Sequence, residues 1–208
     1  MNLTQIRTRC QARFRDTNGD VYTSDEWDGY INDAYADAIT ASPAWPFLVA
    51  LATDMRMGLS GEATLPEGAW RVTSVHCVSD GITLRPVEAP DDHLRLYPDP
   101  SVTGTPELYR VRANVLEVYP HPDAQRELRV EYVVHPDELL FASDEPVFPV
   151  PYHRLLVPGA LSYAYEDDGN ADMAALHRSR FEDGLARMHA DLLTIQTEGF
   201  QGIPDTGW

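Results

Sequence analysis

Apolar positions near the start of the chain recur at helical spacing. Leu3, Ile6, Cys10 and Phe14 fall three or four residues apart with Arg7, Arg9, Arg13 and Arg15 among them, which predicts an amphipathic helix with Thr4 as its cap. Asp16-Thr17-Asn18-Gly19-Asp20 then breaks the pattern with turn chemistry. Thr23 and Glu26 read as a capping box, since a glutamate three residues on can reach back to the cap's own N–H. Behind them Trp27, Tyr30, Ile31, Ala34, Tyr35, Ala38 and Ile39 make the strongest apolar stripe in the chain. Burying its large members is worth ~1.5–3 kcal/mol each, so this helix must pack on something. Ser42-Pro43 ends it, because the residue before proline is pushed out of the helical region.

The period changes in the middle of the chain. Residues 47–51 lead into a mixed run to about Leu59, and residues 69–78 are β-branched and largely alternating. Residues 108–112 and 115–119 flank Ala113-Asn114 as a tight hairpin, and residues 128–134 alternate cleanly. Short strands between Gly/Pro turns predict an antiparallel sheet or small sandwich rather than parallel βαβ units. Helical spacing returns after the rigid, proline-rich residues 144–151. From Tyr152 to about Glu166, Leu155, Leu156, Gly159, Ala160, Tyr163 and Ala164 share one side, with Pro158 either kinking the helix or marking its first turn. After Asp168-Gly169-Asn170 a last helix near 171–194 lines Ala174, His177, Phe181, Leu185, Met188 and Leu192 along one face.

This order predicts an α+β fold: a helical bundle from N- and C-terminal helices with an inserted antiparallel β region, a small sheet or sandwich. Residues 1–46 and 151–195 make the discontinuous bundle, 47–150 the β insertion, and 196–208 a C-terminal docking arm. Phe200, Ile203 and Trp208 of that arm are separated by turn-forming residues, as anchors that order on a partner would be. Ten tyrosines and four tryptophans exceed what a helical body with a small sheet could hide, which predicts aromatic contact surfaces.

Charge sharpens the picture. The net charge is −17, from 33 acids against 16 bases, and repels phosphate and anionic lipid. The N-terminus turns polar at once and has no apolar signal core, and no apolar run is long enough to span a membrane. Cys10 and Cys77 make neither a disulfide framework nor a metal spacing. Every base is arginine. Arginine forks suit carboxylate pairing at interfaces, and codon usage in a G+C-rich genome would give the same composition.

Candidate chemistry fails position by position. Asp16, Asn18 and Asp20 mimic the start of a calcium loop, but that loop needs glycine at its sixth place and glutamate at its twelfth. Val21 and Trp27 stand there, so a capped turn is the better reading. The seven histidines form no His-Glu-x-x-His set; His121-Pro122 and His135-Pro136 end strands, and of His177 and His189 one faces the core and the other solvent. Glu166-Asp167-Asp168 reads as a solvated helix end. No catalytic, cofactor or metal site is nominated, and the expectation is a protein that is not an enzyme.

Several phrases in order carry a resemblance. They are Trp27-Asp28-Gly29-Tyr30-Ile31-Asn32-Asp33-Ala34-Tyr35, Trp45-Pro46-Phe47, Leu65-Pro66 before the Trp70 strand, and Gly104-Thr105-Pro106-Glu107-Leu108-Tyr109. Leu116-Glu117-Val118-Tyr119-Pro120-His121-Pro122-Asp123, residues 128–132, the approach from Pro146 to Tyr152-His153, and Phe181-Glu182 complete the set. Together the chain resembles a bacteriophage head-to-tail adaptor, the head-completion or connector ring protein related to podovirus tail tubular proteins. The resemblance implies a virion structural protein of the neck, made in the host cytoplasm, forming a homo-oligomeric ring of about twelve copies beneath the portal. It implies portal protein and stopper, tail or tail-tube proteins as partners, with the C-terminal arm reaching the portal. Double-stranded DNA would pass through the channel without specific binding, and acidic walls would let it slide. Acidic copies must still meet, so Arg7, Arg13, Arg178 and Arg187 are expected to pair between subunits. A second reading is an aromatic-platform module for carbohydrate, stacking the ligand on Trp70, Tyr97 or Tyr109.

Overall fold

The computed structural model describes residues 1–42, 45–89, 92–99 and 101–198. These form five α-helices: α1 (Leu3–Phe14), α2 (Ser24–Thr40), α3 (Asp92–Leu96), α4 (Leu156–Asp167) and α5 (Ala171–Glu198). The strands are β1 (Val49–Met57), β2 (Glu62–Thr64), β3 (Ala69–Cys77), β4 (Ile82–Pro86), β5 (Thr103–Gly104), β6 (Leu108–Arg112), β7 (Val115–Tyr119), β8 (His121–Pro122) and β9 (Arg126–Val134). The chain divides into two compact units, a helical one of Met1–Phe47 with Asp137–Trp208 and a β unit of Leu48–Pro136.

In the helical unit, α1 starts two residues earlier than Thr4 would set it. Asn2 is the cap: its side chain accepts the Gln5 N–H at 3.0 Å and Gln5 accepts the Asn2 N–H in return. Thr4 instead donates its hydroxyl to the Ala142 carbonyl, tying the 137–150 segment to α1. The α1–α2 turn hangs on Asp16, whose buried carboxylate accepts the N–H groups of Val21 and Tyr22, each at 3.0 Å. Burial alone would raise this carboxyl's pKa, but those N–H groups outweigh it and hold the value below the ordinary range. The Thr23–Glu26 capping box then opens α2, whose Trp27, Ile31, Ala34, Tyr35, Ala38 and Ile39 are buried. Phe14, Tyr22, Trp27 and Tyr30 pack as tilted and edge-on rings 5.4–5.9 Å apart.

Helix α4 lies at the centre of this unit, against α1, α2 and α5. A 3₁₀ turn, Val150–Leu155, leads into it, and Pro158 sits in its first turn, where the missing N–H has no intrahelical partner to lose. Gly159 sets the packing distance: a Cβ there would lie 2.6 Å from the Ala34 Cβ and 3.1 Å from the Phe181 ring. On α5, Ala174, His177, Phe181 and Met188 are buried, while Leu185 and Leu192 are half-buried and His189 is exposed.

The β unit has its own core and corrects the expected fold class. Seven strands form a single sheet in the order β1-β9-β3-β4-β6-β7-β2, nearly closed on itself. The long central pairs are antiparallel, with Val75 opposite Val130 and Cys77 opposite Leu128. Strands β4 and β6, however, run parallel, as do β5 and β8 in a separate two-stranded ribbon. Met57, Leu65, Val75, Cys77, Leu84, Leu116, Val118, Leu128 and Val130 fill the interior. The architecture is mixed α/β with a large sheet, not a helical bundle carrying a small inserted one. The sequence pattern misses this because β2, three residues long, is too short to show a period of two, and β4 joins β6 through a parallel pairing that no local turn announces.

The larger sheet also changes the reading of the aromatics. Trp27, Trp45, Tyr35, Tyr109 and Tyr132 are interior, since two cores bury more surface than one bundle could. Among the described tryptophans only Trp70 is exposed, at 54%.

Candidate interaction site

Five arginines converge on one cavity of the helical unit. Arg9 and Arg13 come from α1, one helical turn apart; Arg180 and Arg187 come from α5, two turns apart; Arg154 comes from the 3₁₀ turn. The cavity holds about 490 Å³, with Leu155, Val157, Pro158 and Gly184 as apolar wall and Asp183 as the one acid among its lining residues. All five arginines are exposed, and among the described residues none of them forms an ion pair. Their charge is felt beneath the surface. Burial pushes the His177 pKa down, and the guanidiniums of Arg180 and Arg13 push it the same way. Burial raises the Cys10 thiol to about 12 in spite of Arg13.

The four arginines expected at subunit contacts separate into two kinds. Arg7 pairs with Asp28 at 3.4 Å. Arg178 pairs with Asp37 at 2.8 Å, stacks over the Tyr163 ring at 4.8 Å, and shares Asp37 with the Tyr163 hydroxyl. Arg13 and Arg187 line the cavity instead. The sequence reading missed Arg9, Arg154 and Arg180. The spacing of Arg9 with Arg13 and of Arg180 with Arg187 was available as a signal, but only the fold brings Arg154 to them. Phe200, Ile203 and Trp208 lie outside the described residues.

An acidic ridge occupies a different part of the same unit. Glu26, Asp33, Glu166, Asp167 and Asp168 are exposed on α2 and at the end of α4. Burial, and then the neighbouring charges of Asp37, Glu138 and Asp167, raise the Asp33 carboxyl above its usual range. Tyr30 donates its hydroxyl to Asp167 at 2.5 Å. Leu140 and Phe141, 68% and 71% exposed, form an apolar turn that the sequence did not single out. The Asp144 carboxylate fixes that turn by accepting both of their N–H groups.

The β unit neutralises charge internally. Glu117 is buried and accepts hydrogen bonds from Arg110 at 2.6 and 3.0 Å, Arg112 at 2.5 Å and the Tyr119 hydroxyl at 2.8 Å. Burial pushes its pKa up, but Tyr119 and the two arginines outweigh burial and hold it below the usual glutamate value. Arg126 bridges Asp80 and Asp123, each at 2.7 Å. Of the proposed stacking aromatics, Trp70 and Tyr109 border one shallow 300 Å³ cleft, yet Tyr109 is only 6% exposed, and Tyr97 lines a separate pocket with His93. Among the described residues no three His, Cys, Asp or Glu side chains are grouped to hold a metal ion, and no helix is long and apolar enough to cross a membrane.

The family model described as SU10 adaptor protein matches residues 1–199, and the chain belongs to that family. No curated protein matches it. Membership makes this a phage adaptor protein, a structural component of the virion that contacts other head or tail proteins.

Proposed function

We propose that the protein is a head-to-tail adaptor of the neck, forming a ring of about twelve copies that joins the portal to the tail and continues the DNA channel. The kinship would extend to podovirus tail tubular proteins. The observation that carries this reading is the adaptor-family match across residues 1–199, which runs through both units. The charge of −17 is in keeping with it, because a channel wall that paired with phosphates would hold the duplex instead of letting it slide. The C-terminal arm, 196–208, docks on the portal through Phe200, Ile203 and Trp208. Deleting 196–208 should abolish capture of the protein by immobilised portal protein; undiminished capture would remove the arm from the account. Particles made without the protein should accumulate as filled or leaking heads separate from tails.

A further inference from the structure

We propose that the five-arginine cavity receives the acidic ridge of a second copy of this chain, so that neighbouring copies meet head to tail through charge. This deepens the ring reading and rests on it. The helical unit's sequence has twenty carboxylates and eight arginines, and five of those eight surround one cavity. Like charges gathered without internal partners repel one another, and a guanidinium fork is shaped to take a carboxylate with two hydrogen bonds. The same unit supplies the complement. Asp33, Glu166 and Asp167 sit exposed on α2 and at the end of α4, and Asp33 is close enough to Asp37, Glu138 and Asp167 that their charges add to burial in raising its carboxyl.

No residue belongs to both patches. A contact between them is therefore heterologous, and a repeated heterologous contact closes into a ring when its rotation permits. The cavity, at about 490 Å³ and open to solvent-exposed arginines, has room for carboxylate side chains from a helix edge. A DNA phosphate would meet the same guanidiniums, but the net charge of the chain opposes that approach while leaving a local contact between opposite patches favourable.

The test uses the full chain in sedimentation at low ionic strength, with two charge-reversed variants, Arg13→Glu with Arg187→Glu and Asp33→Arg with Glu166→Arg. Unchanged circular dichroism and melting temperature establish that each variant is folded. Wild type should self-associate and loosen as salt rises. Each variant alone should associate at least about tenfold more weakly, and the equimolar mixture should recover wild-type association, because reversed and native patches then complement each other. Wild-type association by Arg13→Glu/Arg187→Glu, or a mixture that fails to recover, overturns the pairing. So does a wild type that stays monomeric at its highest soluble concentration. Each of these leaves the adaptor reading standing, since that reading fails only if the protein is missing from the neck. Duplex DNA bound by wild type and lost with Arg13→Glu/Arg187→Glu would assign the cavity to phosphate and overturn the pairing as well.

Discussion

In the β unit Arg110, Arg112 and Arg126 are each held against carboxylates of their own unit, whereas among the described residues none of the five arginines around the helical unit's cavity forms an ion pair, although Asp183 is part of the same lining. The first arrangement fixes a fold. Glu117 is buried only because two guanidiniums and a phenol compensate it, and Arg126 clamps the start of β9 to the β3–β4 turn. The second arrangement closes no ion pair within the described chain and leaves its guanidiniums open to a partner. Arg7 and Arg178 show that the helical unit can also pair its arginines internally where it needs to. The contrast teaches that charge is placed in internal pairs in one unit, while the other leaves a group of guanidiniums outside any such pair.

The largest effect should come from overfilling the helical packing. Gly159→Val places side-chain carbon inside the contact with Ala34 and Phe181 and should cost about 3 kcal/mol in denaturant unfolding. Hydrogen exchange should then show lost protection in α2, α4 and α5 with the β3–β9 ladder still protected; equal loss in both would break the division into two units. Next is Glu117→Gln, which leaves two arginines without their carboxylate and should cost about 2 kcal/mol at neutral pH. The native carboxyl has a depressed pKa, so its stabilisation is complete above the unfolded value of 4.5 and fades as pH falls through the lower folded value. The variant should therefore lose less stability than wild type on acidification below about pH 4.5. Asp16→Ala leaves the Val21 and Tyr22 N–H groups unpaired and should cost about 1–2 kcal/mol, read as a lower melting temperature. Smallest of all, Arg13→Glu with Arg187→Glu should change the stability of the single chain by no more than about 0.5 kcal/mol, because no internal pair is broken. A large loss there would mean these arginines hold the fold together, and the contrast between the units would fail.

Local patterns made some elements legible and hid others. Helix α2 was readable because its cap and its stripe lie within seventeen consecutive residues and both are made by near neighbours. The hairpin of β6 and β7 was readable for the same reason, although Ala113 takes a positive φ of 51° that favours glycine. The sheet as a whole was not, since β1 and β3 both pair with β9 some fifty to eighty-five positions away, and the three-residue β2 pairs with β7. Glu117 sits in a strand where alternation assigns it to solvent, yet Leu116, Glu117 and Val118 are all buried. Arg110, its cross-strand partner in the hairpin, with Arg112 and the Tyr119 hydroxyl, accounts for that. The arginine cavity is likewise distributed over α1, the 3₁₀ turn and α5, so half of the expected contact arginines were placed there and half turned out to be paired at home.

The central claim, that this chain works by joining head to tail, is tested most directly by a reconstruction of the phage particle at a resolution that traces helices. The account predicts a closed ring of this chain between portal and tail, with the duplex path running through its middle. Finding the protein absent from the particle, or attached as single copies away from that junction, would contradict it.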